Sequence, residues 1–267
     1  MAAEPIWLLA LLAGLFGLLI GSFLNVCIYR LPRDLSVVSP RSFCTECGGQ
    51  IAWFDNIPVF SYALLRGRCR QCRQRIPWRY PLVEILTAGL FAIVTARYGA
   101  SLATCKWCLF EALLVALFFT DLEERILPDE FTLGGGIAGL VFAFFVRVPG
   151  FFSEFFLIHS PFWVQSLFEA GLAAVIMTVP IWLLSFLWGR LRKREVLGMG
   201  DLKLLPMLGV FLGLDQGISA LLIGSVTGVV IGGGYIFLSK QKASTYELPL
   251  GSFFCLGAAL IPLLVRL

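Results

Sequence analysis

Two aspartates stand at the edges of long apolar segments. Asp201 lies in Gly198-Met199-Gly200-Asp201-Leu202-Lys203, beside two glycines, and Asp121 closes the apolar residues 105–120. Two carboxylates at one partly dry site can share a proton. The ionised one then takes a proton from water while the protonated one donates to a carbonyl oxygen. That is aspartyl peptide hydrolysis, and it needs no serine, histidine or metal. Gly198 and Gly200 suit it, because backbone without side chains lets an extended substrate come close. Taken singly, each aspartate reads as a helix-end charge among headgroups. The Gly-x-Gly-Asp setting, and the common placement derived below, favour the pair.

A second group of reactive side chains sits earlier. Cys44-Thr45-Glu46-Cys47 and Cys69-Arg70-Gln71-Cys72 share one frame, Cys47-x3-Ile51-x-Trp53 and Cys72-x3-Ile76-x-Trp78. Two such knuckles suit a tetrahedral four-thiolate zinc site, since each turn presents two sulfurs to one face of the ion. Such a site replaces a hydrophobic core in a loop too small to build one. With four thiolates and no open position, the zinc is structural. Disulfides are the competing reading, which a reducing cytoplasm disfavours. A third CxxC, Cys105-Lys106-Trp107-Cys108, lacks the frame and reads as two packed thiols. The single histidine, His159, cannot build a histidine-based metal site and reads as a surface residue.

Composition dictates what positions these groups. The chain is 58% hydrophobic and 14% charged, with mean hydropathy +0.87. A soluble chain of 267 residues cannot hide that much apolar surface. Uncharged runs reach the roughly 20 residues that cross a bilayer, so the expected class is an all-α polytopic membrane protein. Glu4 and the lack of Lys or Arg before the first run argue against a secretory signal. That run, residues 6–28, reads as a retained helix. Its Gly14, Gly17, Gly21 and Ser22 form a small-residue stripe for a neighbouring helix, and Asn25 reads as a helix-packing hydrogen bonder.

Residues 30–79 carry nine arginines and three acids, Asp34, Glu46 and Asp55. The positive-inside rule places this loop in the cytoplasm. Counting onward gives apolar segments at 80–98, 105–120, 131–146, 167–189, 204–214, 217–238 and 248–265, with Arg190, Arg192, Lys193, Arg194, Lys240 and Lys242 marking the inner side. The result is about eight transmembrane helices with both ends outside, and Asp121 and Asp201 on the cytoplasmic face. The domains expected are a first helix (1–29), a zinc-knuckle domain (30–79) and a membrane protease core (80–267). Residues 204–214 are too short to span unless residues 198–203 enter the membrane edge. Residues 147–166 are aromatic and amphipathic and read as lying on the outer surface. Pro180 is expected to bend the fifth helix. Glu111, in mid-membrane, belongs in a bundle interior. Glu84 either favours a helix N-terminus or faces the loop or the site.

With these motifs in hand, the chain resembles the type IV prepilin peptidases, membrane aspartyl proteases of the GxGD type. The resemblance runs through Gly21-Ser22-Phe23-Leu24-Asn25-Val26, Tyr29-Arg30-Leu31-Pro32, the two knuckles with Asp55-Asn56-Ile57-Pro58 between them, and Arg79-Tyr80-Pro81-Leu82-Val83-Glu84. It continues through Asp121 with Ile126-Leu127-Pro128-Asp129 and ends on residues 198–203. It implies Asp121 and Asp201 as catalytic residues, with Gly198, Gly200, Lys203 and Glu84 shaping the site. It implies a multi-pass protein of the bacterial inner membrane whose site faces the cytoplasm. The implied substrates are prepilins and type II secretion pseudopilins, cleaved after a glycine that ends a short basic leader. The new N-terminal residue is then N-methylated with S-adenosylmethionine as donor.

No Gly-rich methyl-donor fingerprint is present, so methylation rests on the resemblance alone, with Glu84 and the Asp55-Asn56 turn as candidates. A peptidase without methyl transfer is one alternative. A proton-coupled transporter is another, and its paired repeats are only weakly echoed by the Leu-Pro ends that follow Asp121 and Asp201. Membrane lipid is an expected partner of the basic loop. Nucleic acid is not, since a knuckle held against a membrane leaves little room for a duplex. Nothing in the pattern sets an oligomeric state.

Overall fold

The computed structural model describes residues 5–192, 198–239 and 248–265. Glu4, Lys193, Arg194, Lys240 and Lys242, used above to orient the chain, lie outside the described residues. The described residues are helical apart from loops and two isolated bridges, Phe43 with Gln50 and Arg68 with Arg75. The helices are α1 (Ile6–Arg30), α2 (Phe60–Leu64), α3 (Arg79–Tyr98), α4 (Leu102–Glu124), α5 (Asp129–Ala143), α6 (Phe151–Phe156), α7 (Phe162–Arg192), α8 (Met199–Thr227), α9 (Gly233–Ser239) and α10 (Leu250–Leu264). A π-helical turn, Gly228–Gly232, joins α8 to α9. Five stretches are long and apolar enough to cross a membrane: Ile6–Arg33, Arg79–Tyr98, Leu102–Glu124, Phe162–Leu191 and Met199–Tyr235. α5 and α10 are apolar but only 15 residues each.

The expected sixth and seventh segments prove to be one helical stretch broken at Gly213, whose φ of 76° and ψ of 179° no helix contains. Only glycine reaches that backbone without strain. A Cβ there would also meet the Pro149 carbonyl at 2.6 Å. The part of α8 before the break runs roughly 20 Å, short of the ~30 Å bilayer core. Residues 199–203 therefore form the first turns of α8 rather than irregular backbone.

Two compact units divide the chain, Met1–Ala116 and Leu117–Leu267. In the first, α1 packs on α3. The small-residue stripe carries this contact. Cβ atoms at Gly17 and Gly21 would come within 2.8 Å of the Ala88 Cα and 2.7 Å of the Glu84 Cα. In hydrocarbon, apolar burial drives no association, so close backbone approach and hydrogen bonds hold helices together. Asn25 supplies one such bond, its Nδ2 donating to the Tyr80 carbonyl at 3.0 Å. Glu111 on α4 is buried.

In the second unit α8 is central and packs against α5, α7 and α10. Leu204, Leu205, Met207, Leu208, Phe211 and Leu212 are wholly buried along it. Gly209 allows the α7 backbone to approach at Ala173 and Ala174. Gly224 and Gly257 do the same between α8 and α10. The segment before α7 is aromatic as expected: Phe151, Phe155 and Phe156 of α6 are exposed.

Candidate active site

Three helix ends build the site in the second unit. α4 ends one turn after Asp121, where Arg125 takes a positive φ of 58° and its N–H closes the turn on the Asp121 carbonyl. A left-handed residue just past a helix is a common way to stop it. α8 begins just after Gly198, and Asp201 sits in its first turn, where a carboxylate complements the positive helix end. α10 begins after Pro249. Its second and third residues, Gly251 and Ser252, carry N–H groups with no partner inside the helix.

Those two N–H groups bind the two aspartates. The Ser252 N–H donates to Asp121 Oδ2 at 2.6 Å, and the Gly251 N–H donates to Asp201. Ser252 Oγ lies 2.8 Å from Asp121 Oδ2 and 3.0 Å from the Phe118 carbonyl. A hydroxyl has one hydrogen to give. It donates to Asp121 when that carboxylate is ionised. When Asp121 is protonated, the hydroxyl can accept from it and donate to Phe118 instead. The pair is thus braced in either protonation state, which suits two coupled carboxylates that titrate together.

Gly251 also spaces the pair. A Cβ on it would lie 3.0 Å from Asp201 Oδ1, 3.2 Å from Asp121 Cγ and 2.9 Å from Leu127 Cδ1. Leu127 is buried and covers Gly200 from the other side, at 3.1 Å from where a Cβ would stand. Of the two motif glycines, Gly198 is the one whose bare face looks onto the Asp201 carboxylate, at 3.6 Å. Lys203 turns to the surface and binds both oxygens of Asp129 at 2.7 and 2.8 Å. That ion pair is partly solvated, so its worth is about 0–1 kcal/mol. Its effect is to tie the start of α5 to the start of α8.

The remaining predicted residues lie in the first unit. Glu84 is past the first turn of α3 and faces the loop, with its Oε2 accepting the Val59 N–H at 2.7 Å. The four knuckle sulfurs lie within 4.8 Å of one another, with Cys44 and Cys72 3.9 Å apart. Tetrahedral thiolates ~2.3 Å from one zinc ion would be roughly 3.8 Å apart, so this set could hold a metal ion. The repeat holds bond for bond at an offset of 25. Cys44 N–H to Gly49 O, Gly48 N–H to Cys44 O and Ile51 N–H to Ser42 O recur as Cys69 to Gln74, Arg73 to Cys69 and Ile76 to Gly67. Between the knuckles, Arg70 grips both oxygens of Asp55 at 2.7 and 2.6 Å and holds that carboxyl below its ordinary range.

Gly251 and Ser252 were not anticipated. Their one sequence signal is Pro249 ahead of an apolar run, which marks a helix start but names no partner for its free N–H groups.

An all-helical, multi-pass membrane chain that gathers two carboxylates on one helix end has the build of a membrane aspartyl peptidase. Comparison with known proteins agrees. Residues 15–98 match the bacterial peptidase A24 N-terminal domain, and residues 108–233 match the type IV leader peptidase family. A Pseudomonas putida protein named prepilin leader peptidase/N-methyltransferase is 34% identical over 280 residues, covering 96% of this chain and 91% of that one. Proteins of the same name from Myxococcus xanthus and Neisseria gonorrhoeae are 37% and 35% identical, over 84% and 82% of this chain. The chain spans 62% of the Myxococcus protein's length and 79% of the Neisseria one. No solved structure matches. The chain belongs to the type IV leader peptidase family.

Proposed function

We propose that this chain cleaves the leader peptides of type IV prepilins and type II secretion pseudopilins with Asp121 and Asp201, and then N-methylates the new N-terminal residue. The observation that carries the reading is the binding of both carboxylates by consecutive N–H groups of α10. The ionised aspartate takes a proton from the attacking water, and its protonated partner gives one to the scissile carbonyl oxygen. As the tetrahedral species collapses, the C–N bond breaks and a proton passes to the departing amine. The site faces the cytoplasm of a bacterial inner membrane, which places it beside the junction between a basic leader and an apolar pilin helix. A methyl donor such as S-adenosylmethionine, when bound, supplies a methyl carbon to the new amine and leaves as a neutral thioether.

Zinc at Cys44, Cys47, Cys69 and Cys72 fits as a structural ion for residues 30–79, between a first helix at 1–29 and a protease core at 80–267. Cys44→Ser is expected to lower bound zinc from about one ion per chain to well below it, because three ligands make a leaky structural site. Metal analysis of the purified protein checks this, and unchanged zinc would refute the assignment.

The function is tested by incubating the full chain with a peptide spanning a prepilin leader junction, with and without S-adenosylmethionine, followed by mass analysis. Two shifts are expected: loss of the leader, and a gain of one methyl group that requires the donor. Cleavage without the methyl shift would leave a peptidase only. No cleavage would overturn the whole reading.

A further inference from the structure

Leu127 has no part in the proton transfers described above, yet its side chain stands against every element of the reacting centre. Three groups surround the bare face of Gly251. Measured from where a Cβ would stand, they are Leu127 Cδ1 at 2.9 Å, Asp201 Oδ1 at 3.0 Å and Asp121 Cγ at 3.2 Å. On its other side the same leucine covers Gly200. Its Cβ, Cδ1 and Cγ lie 3.1, 3.4 and 3.5 Å from where a Cβ of that glycine would stand. Leu127 therefore fills the gap that two glycines, one on α8 and one on α10, leave beside the carboxylates.

The backbone that carries Leu127 is held from both directions. Before it, the Arg125 N–H closes the end of α4 on the Asp121 carbonyl. After it, the Pro128 carbonyl accepts the Phe131 and Thr132 N–H groups at 3.1 Å and the Thr132 hydroxyl at 3.2 Å. Lys203 ties the next residue, Asp129, to α8. Between these anchors Ile126 turns outward, 44% exposed, and Leu127 turns inward, 7% exposed. One methyl of the leucine can rotate. The isobutyl group as a whole stays between α8 and α10, because its Cβ and Cγ also cover Gly200.

Depth decides what meets this wall. Gly198 is exposed and Asp201 partly so, whereas Asp121 is only 6% exposed. The site opens at Gly198 and narrows inward to Asp121, and Leu127 stands at that inner end. A carbonyl served by both carboxylates must reach the same depth. The side-chain carbon closest to a peptide carbonyl belongs to the residue that supplies the carbonyl, since the Cβ of the following residue lies one bond farther along the chain. That Cβ is the first to press on Leu127.

We propose that Leu127 is a specificity-determining residue of the peptidase, a wall that admits only a residue without a side chain on the carbonyl side of the scissile bond. The proposal rests on the peptidase half of the function proposed above. It assigns the glycine expected before the cleaved bond to one side chain of this chain.

The test compares kcat/KM of the full chain, in detergent micelles, on two leader-junction peptides that differ only in Gly or Ala before the cleaved bond. A methyl group pressed on a filled wall is worth about 10–200-fold, so the wild type should prefer glycine by at least about tenfold. Leu127→Ala should bring that ratio to within about threefold of one, and Leu127→Val should fall between. The ratio is read within each variant, so a general loss of activity from the cavity left by a smaller side chain cancels. An unchanged glycine preference in both variants would overturn the proposal. So would the loss of all cleavage in both, which would make Leu127 a support of the aspartate pair and not a gauge of the substrate. Equal cleavage of the two peptides by the wild type would overturn it while leaving the peptidase reading intact. No cleavage of either peptide by the wild type would overturn both.

Discussion

Asp121→Asn and Asp201→Asn are each expected to reduce cleavage of a leader-junction peptide by at least about 10³-fold, since each removes a proton carrier from the reacting centre. The double variant should be little worse than either single one, because the two groups act as a unit. Asparagine preserves the shape of the side chain. Its carbonyl oxygen can still accept the Ser252 N–H that now reaches Asp121 at 2.6 Å, or the Gly251 N–H that reaches Asp201. The packing of α8 against α10 does not depend on either charge, since it rests on Gly224 and Gly257. Both variants should therefore insert in the membrane and keep their zinc. The measurement is single-turnover cleavage followed by mass analysis, with membrane fractionation as the control. A well-inserted variant that still cleaves would end the paired-carboxylate mechanism.

The parts of this chain that could be read in advance are those with a local code. The knuckles announce themselves because four thiolates and two tryptophans recur in one frame, and the backbone bonds repeat at the same offset. A close helix neighbour for α1 was legible because small residues on one helical face have one common use in hydrocarbon, and Gly17 and Gly21 meet that use; that the neighbour is α3 was not. Apolar length was enough for the class, since five stretches are long and apolar enough to cross a membrane. What the residues do not encode locally is which helix end meets which. Gly251 and Ser252 lie in an uncharged run, and nothing in their residue types points to a carboxylate partner. They matter because packing at Gly224 and Gly257 brings the start of α10 to two aspartates 50 and 131 positions away. Gly213 was opaque for a related reason. A glycine that breaks a helix and a glycine that lets helices touch, such as Gly209, are the same letter, and only the backbone angle tells them apart. For Glu84 the residue type allows either a helix-end role or a contact with the loop, and the Val59 N–H, which only the folded chain brings to it, decides for the loop.

The spacing role of Gly251 leads to the second large effect. Gly251→Ala adds one methyl group and removes no polar atom, yet it is expected to lower cleavage by about 10²-fold or more. The new Cβ would stand 3.0 Å from Asp201 Oδ1, 3.2 Å from Asp121 Cγ and 2.9 Å from Leu127 Cδ1. Ordinary carbon contacts are ~3.5–4.0 Å. The Leu127 methyl can swing aside, but the two carboxylates are held by the start of α10, so either they or α10, with its two N–H donors, must shift. A misplacement of ~1 Å at reacting groups costs on the order of 10²-fold. Ser252→Ala is the natural comparison. It deletes the hydroxyl beside Asp121 but keeps the N–H donor and the helix position, so it should cost about tenfold or less, the worth of one hydrogen bond. The expected order, with the loss of no polar group more harmful than the loss of one, follows from spacing alone. If Ser252→Ala proved the worse of the two, the pair would be governed by that hydroxyl, and the close approach of α10 would be incidental to it.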